Sequence, residues 1–147
     1  MTQQQEIVAS ARSLLGIRWK HQARDGGSLD CAGVVLHAAK AQGFVDWDIP
    51  ADYEREAPPE AMLSVCREHL IEIPRAELSP GDMVVLRYAK TNHIGVIGDY
   101  PVDGHVSIIH AQATSPRCVV ENRFCDEWLT MVRAKVIGCF RFPERVR

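Results

Sequence analysis

Three side chains in this sequence have the right types to do nucleophilic chemistry together: Cys31, His93 and His110. Asp30 is a good N-cap, so the helix expected over residues 31–42 places Cys31 in its first turn. The partial positive charge at a helix start stabilises a thiolate, the reactive form of cysteine. Gly33, two residues on, lets a substrate or another backbone come close. The run Asn92-His93-Ile94-Gly95-Val96-Ile97 reads as a strand, with His93, Gly95 and Ile97 on one open face. If residues 83–98 and 105–112 form sequential antiparallel strands, His110 of Ile108-Ile109-His110-Ala111 sits beside His93. It would then hold that imidazole in the tautomer a base requires. Each element taken singly has an ordinary alternative. A helix-start cysteine is more often structural than reactive, and a strand histidine is commonly satisfied by backbone.

The elements that must position these residues follow from pattern. Ile7, Val8, Ala11, Leu14 and Leu15 share one face of a helix expected over 3–15, with Gly16 at its end. A Gly-rich polar loop, 20–29, leads to the helix of Cys31, which Gly43 closes. Residues 46–59 read as a loop rich in Pro and acids. A third helix is expected over 60–70, led in by Pro58-Pro59. Then the period changes. Ile71-Glu72-Ile73 alternates, Ser79-Pro80-Gly81-Asp82 is turn chemistry, and strands are expected over 83–88, 93–98, 105–112, 118–122 and 136–142. Helices first and antiparallel strands after argue for one α+β domain spanning 1–147.

The chain has 147 residues, 24% charged and 46% hydrophobic, enough to bury a core without metal or disulfides. A net charge of −2 gives no general attraction to nucleic acid. No apolar run is long enough to insert in a membrane. The first residues show neither a basic nor an apolar signal region, so synthesis and first residence in a cytoplasm are expected. The basic residues near the end (Arg133, Lys135, Arg141, Arg145, Arg147) read as a solvated tail. The five cysteines are odd in number and widely spaced, which fits neither a disulfide framework nor a zinc site. Cys66, Cys118, Cys125 and Cys139 read as small buried hydrophobes. His37 and His69 read as packing or surface residues, and His105 and His110 as opposite faces of one strand. Trp47, Tyr53 and Trp128 read as core or loop anchors.

In order along the chain, Asp30-Cys31-Ala32-Gly33, Leu78-Ser79-Pro80-Gly81-Asp82, Asn92-His93-Ile94-Gly95-Val96 and Ile109-His110-Ala111 resemble the NlpC-type cell-wall peptidases. Those enzymes carry an Asp-Cys-Ser-Gly turn, a Pro-Gly-Asp turn, a His-Val-Gly-Ile strand and a later His-Ala strand. The likeness runs from about residue 7 to 142. It implies a papain-like α+β fold, with helices packed on a central antiparallel sheet of about five strands. It implies Cys31 as nucleophile, His93 as base and His110 as orienting group, with the Cys31 N–H in the oxyanion hole. The bond implied is the γ-D-glutamyl link to a diamino acid in the peptidoglycan stem peptide. No metal or organic cofactor is implied. Trp19, His21, Asp30 and Ala32 would lie on the substrate side, although loop solvation explains His21 equally well.

Two positions depart from the family pattern. Trp19 stands where many members have a tyrosine whose hydroxyl reaches the site, and an indole N–H donates but cannot accept. Ala32 stands where a serine helps bind the substrate's free amine. His21-Gln22, the Pro-rich insert and the ending Val136-Ile137-Gly138-Cys139-Phe140-Arg141-Phe142-Pro143 resemble the bacteriophage-tail branch. That branch implies a virion location, tail-tip or baseplate hub proteins as partners, and local opening of the wall. Two other functions fit the same residues: a structural tail component with little catalysis, and a papain-like protease acting on another tail protein.

Overall fold

The computed structural model describes residues 1–20, 28–47, 57–100 and 104–145, apart from the side chains of 28 and 29. Helix α1 (Gln3–Arg12) starts at a reciprocal cap. Thr2 Oγ1 accepts the Gln5 N–H at 3.1 Å, and Gln5 Oε1 accepts the Thr2 N–H at 2.9 Å. Two short strands, β1 (Arg18–Trp19) and β2 (Ser28–Leu29), pair in parallel. Helix α2 (Cys31–Ala41) follows β2 directly, and Gly43 in the left-handed region lies just beyond its end. Helix α3 (Pro59–His69) begins with proline at its first position, where a missing N–H costs nothing.

The strands form one six-stranded antiparallel sheet. In chain order they are β3 (Ile71–Glu72), β4 (Met83–Arg87), β5 (Asn92–Gly98), β6 (Val106–Ala111), β7 (Val119–Phe124) and β8 (Lys135–Arg141). In space the order is β3-β8-β4-β5-β6-β7. The strand beyond the expected five is β3, a two-residue edge on β8. Alternation sorts the sheet residues onto two faces. Met83, Val85, Ile94, Val96, Ile109 and Phe140 pack with Ile7, Val34, Val35 and Leu63 of the three helices. Val84, Leu86, Ile97, Ile108 and Cys139 pack with Trp128 and Leu129 of a fourth helix, α4 (Asp126–Val132).

Helix α4 has no counterpart in the sequence pattern. It is seven residues long, its N-cap Cys125 makes no side-chain cap, and Arg133 rather than glycine takes the left-handed position at its end. The usual start and stop signals are therefore missing. His105 lies before β6 and is exposed, so it shares no strand with His110.

The Pro80-Gly81-Asp82 turn anchors the sheet to the helices. Gly81 is left-handed, and a Cβ there would stand 2.9 Å from the Gln4 Cα, so α1 passes directly over it. The buried Asp82 carboxylate accepts two bonds from Arg141, at 2.8 and 2.9 Å, and the Ser79 N–H at 2.9 Å. Arg145 pairs with Glu6. Two of the residues expected in a solvated tail thus fasten β8 and the C-terminal segment to the rest of the chain. Asp82 is buried and Arg141 is partly exposed, so removing the carboxylate costs the two Arg141 bonds and leaves the Ser79 N–H without its acceptor. Asp82→Ala is expected to cost roughly 2 kcal/mol in denaturant unfolding.

Candidate active site

The site begins with strand register. Leu86 of β4 faces His93 of β5, and the β5–β6 register, read on from Val96↔Ile109, puts Gly95 opposite His110. His93 and His110 therefore sit on one face of adjacent strands, diagonally offset by two residues along the sheet. Their rings meet edge to face, with His93 Nε2 2.7 Å from His110 Nδ1. The face is not open, as the alternation alone suggested. A Cβ at Gly95 would stand 2.6 Å from Ile108 Cγ1 and 3.1 Å from His110 Cβ, so those side chains fill the space a larger residue would take. Trp128 closes the site from beyond, its ring 5.6 Å from that of His110.

A residue without a sequence signal completes the chain. Asn122 of β7 places its Oδ1 2.7 Å from His110 Nε2. An amide oxygen only accepts, so His110 carries its proton on Nε2 and offers Nδ1 as acceptor. His93 then donates from Nε2 and is left with an unprotonated Nδ1. Asn122 was hidden because β7 runs to Phe124, past the expected end at 122, and no pattern fixed its register against β6.

Burial, together with the neighbouring His110, holds the His93 pKa well below its ordinary 6.5. Burial also lowers that of His110, against the opposing pull of the Asn122 hydrogen bond. Both rings are neutral at pH 7, the state a base requires.

Cys31 opens α2, which lies across β5. It is buried and belongs to the core cluster of the helical face. Asp30 caps the helix: its Oδ1 accepts the Gly33 N–H at 2.7 Å, so that cap bond engages the third residue of the helix rather than Cys31. Tyr88 links the two halves of the site. Its ring meets His93 edge-on at 5.7 Å, and burial plus the charge of the Cys31 thiolate push its hydroxyl pKa to about 12. The other buried thiols differ in setting. Burial first, and the charge of Cys31 second, push Cys66 up to about 12, and burial raises Cys139. None of the five cysteines is in a disulfide.

The residues expected on the substrate side fare unequally. Asp30 and Ala32 lie at the start of α2 and are 1% and 0% exposed. Trp19 is half-buried on β1, its N–H bonded to the Arg117 carbonyl at 2.8 Å. Arg18, Trp19, Pro116 and Arg117 line a cavity of about 320 Å³. His21 and Tyr53 lie outside the described residues. His37 is exposed, and His69 stacks on Trp47 at 5.2 Å.

No family model matches the chain, and no curated protein does. Solved structures do. The NlpC/p60 domain of the peptidoglycan hydrolase SagA matches with a TM-score of 0.63 at 14% identity, over 95% of this chain and 98% of that one. An NlpC/P60 family protein from Bacillus cereus matches with a TM-score of 0.64 at 17% identity, over 95% of this chain but 40% of that one. An N-acetylmuramoyl-L-alanine amidase from Bacteroides uniformis matches with a TM-score of 0.54 at 12% identity, over 94% and 97% of the two chains. The chain has the papain-like α+β fold of these domains.

The imidazole chain has consequences for stability and for turnover. Histidines held neutral in the fold but protonated in the unfolded chain make stability fall as pH drops. Stability is complete above about 6.5 and is lost as pH falls from there toward the depressed folded values. Melting temperature should decline through this window, and less steeply in His110→Gln. In imidazole nitrogen NMR, His93 and His110 should both be Nε2-protonated. Asn122→Leu should remove that preference and slow turnover about tenfold, about 1.4 kcal/mol of activation free energy, while Asn122→Asp, which keeps an acceptor oxygen, should retain the preference.

Proposed function

We propose that this protein is a cysteine peptidase that cuts peptide stems of peptidoglycan. The observation that carries the reading is the chain His93–His110–Asn122, with both contacts at 2.7 Å. It leaves His93 one nitrogen, Nδ1, for a thiol proton. Cys31 Sγ attacks a peptide carbonyl carbon and passes its proton to Nδ1. The C–N bond breaks as Nδ1–H protonates the leaving amine, giving a thioester. Water then attacks the thioester with Nδ1 as base, releasing acid and regenerating the thiol. The start of α2 favours negative charge on sulfur, and the motif resemblance assigns the Cys31 N–H to the developing oxyanion.

The substrate class rests on the motif resemblance and on peptidoglycan hydrolases sharing the fold. The bond is the γ-D-glutamyl link to a diamino acid. Arg18 and Arg117 around the Trp19 cavity suit a stem bearing free carboxylates. The motifs that resemble the bacteriophage-tail branch support a place at the tail tip, where the enzyme would open the wall locally.

Digestion of purified sacculi, with released peptides identified by mass spectrometry, tests the reading. Cys31→Ala should abolish release while keeping the wild-type fold by circular dichroism. His93→Ala should lose more activity than His110→Ala, because an orienting group contributes less than the base it serves. Wild-type rates in Cys31→Ala would refute the nucleophile.

A further inference from the structure

The position that carries a hydroxyl in many proteins with these motifs is Trp19 here. The site nonetheless contains a phenol from another part of the chain. Tyr88 follows β4 directly, and its N–H bonds the Thr91 carbonyl at 3.0 Å, which closes the tight turn into β5. Leu86 faces His93 across the two strands, and the Tyr88 ring comes edge-on against the His93 ring at 5.7 Å. A turn held by backbone hydrogen bonding and a ring packed on the base fix this side chain firmly. Its hydroxyl has no hydrogen-bond partner among the described residues and is not sealed from solvent. Burial and the charge of Cys31 raise its pKa to about 12, so it stays a donor at neutral pH.

We propose that Tyr88 is a catalytic residue whose O–H donates to the oxyanion formed when Cys31 attacks a carbonyl. The inference rests on Cys31 as the nucleophile and on no particular substrate. A fixed neutral donor with no hydrogen bond of its own to break in the resting site binds the tetrahedral state better than the planar carbonyl.

The experiment separates carbonyl attack from simple thiol reactivity. Acylation of Cys31 by p-nitrophenyl acetate passes through an oxyanion: a C–S bond forms, p-nitrophenolate leaves, and the thiol proton goes through His93 to solvent. Alkylation by iodoacetamide displaces iodide and forms no oxyanion. Both rates are measured in wild type and Tyr88→Phe, with Cys31→Ala as the blank for the other thiols. Tyr88→Phe keeps the ring against His93, so the expected result is acylation slowed about 100-fold with the alkylation rate and its pH profile unchanged. Equal acylation in the two proteins overturns the proposal. So does a parallel fall in both rates, which would place the hydroxyl on the thiolate instead. A wild type that is not acylated at Cys31 also overturns it. If wild type leaves sacculi intact but acylation still depends on Tyr88, the peptidoglycan reading fails and this inference stands.

Discussion

Two imidazoles are buried side by side in a sheet, with nitrogens 2.7 Å apart. Such a pair is tolerated only if each proton has an assigned place, because a buried donor facing a donor costs far more than a hydrogen bond gains. Asn122 supplies the assignment. Its oxygen fixes one proton on His110, which fixes one on His93, which leaves one lone pair at the end of the chain. On the proposed mechanism, the direction of this relay is what makes His93 a base. An amide terminus keeps the relay neutral, where a carboxylate would add charge to an already buried cluster.

The rest of the fold serves that arrangement. Antiparallel register puts the two rings on neighbouring strands, and Gly95 yields the volume that Ile108 and His110 occupy. Trp128 on α4 excludes water from behind His110. Helix α2 packs across β5, and the Asp82–Arg141 bridge ties the start of β4 to the end of β8. Reactivity is also kept local, since Cys66 and Cys139 are driven toward inert thiols by burial.

Much of this was legible in the residues. Asp30 before an apolar helical run marked the start of α2 to the residue, and short β-branched and aromatic runs between turn signals located every long strand of the sheet. Other parts gave no local signal. Asn122 lies on the strand whose far end and register depended on partners distant in sequence. Helix α4 is too short and lacks caps. Tyr88 ended a strand and looked like ordinary strand punctuation, because only the hairpin closure turns its ring onto His93. Asp30 and Ala32 were placed on the substrate side on the strength of the motif alone, and no local pattern signalled their burial at the helix start. Binary pattern predicts elements well, but it does not say which side chains converge from three strands.

The central claim is that the imidazole chain serves Cys31. The most direct test is the pH dependence of Cys31 alkylation by iodoacetamide in wild type and His93→Ala, read by peptide mass spectrometry. Reactivity in wild type should rise through a midpoint well below the ordinary thiol value of about 8.5 and return to about 8.5 in His93→Ala. A wild-type midpoint at or above 8.5 that His93→Ala does not move would contradict the account.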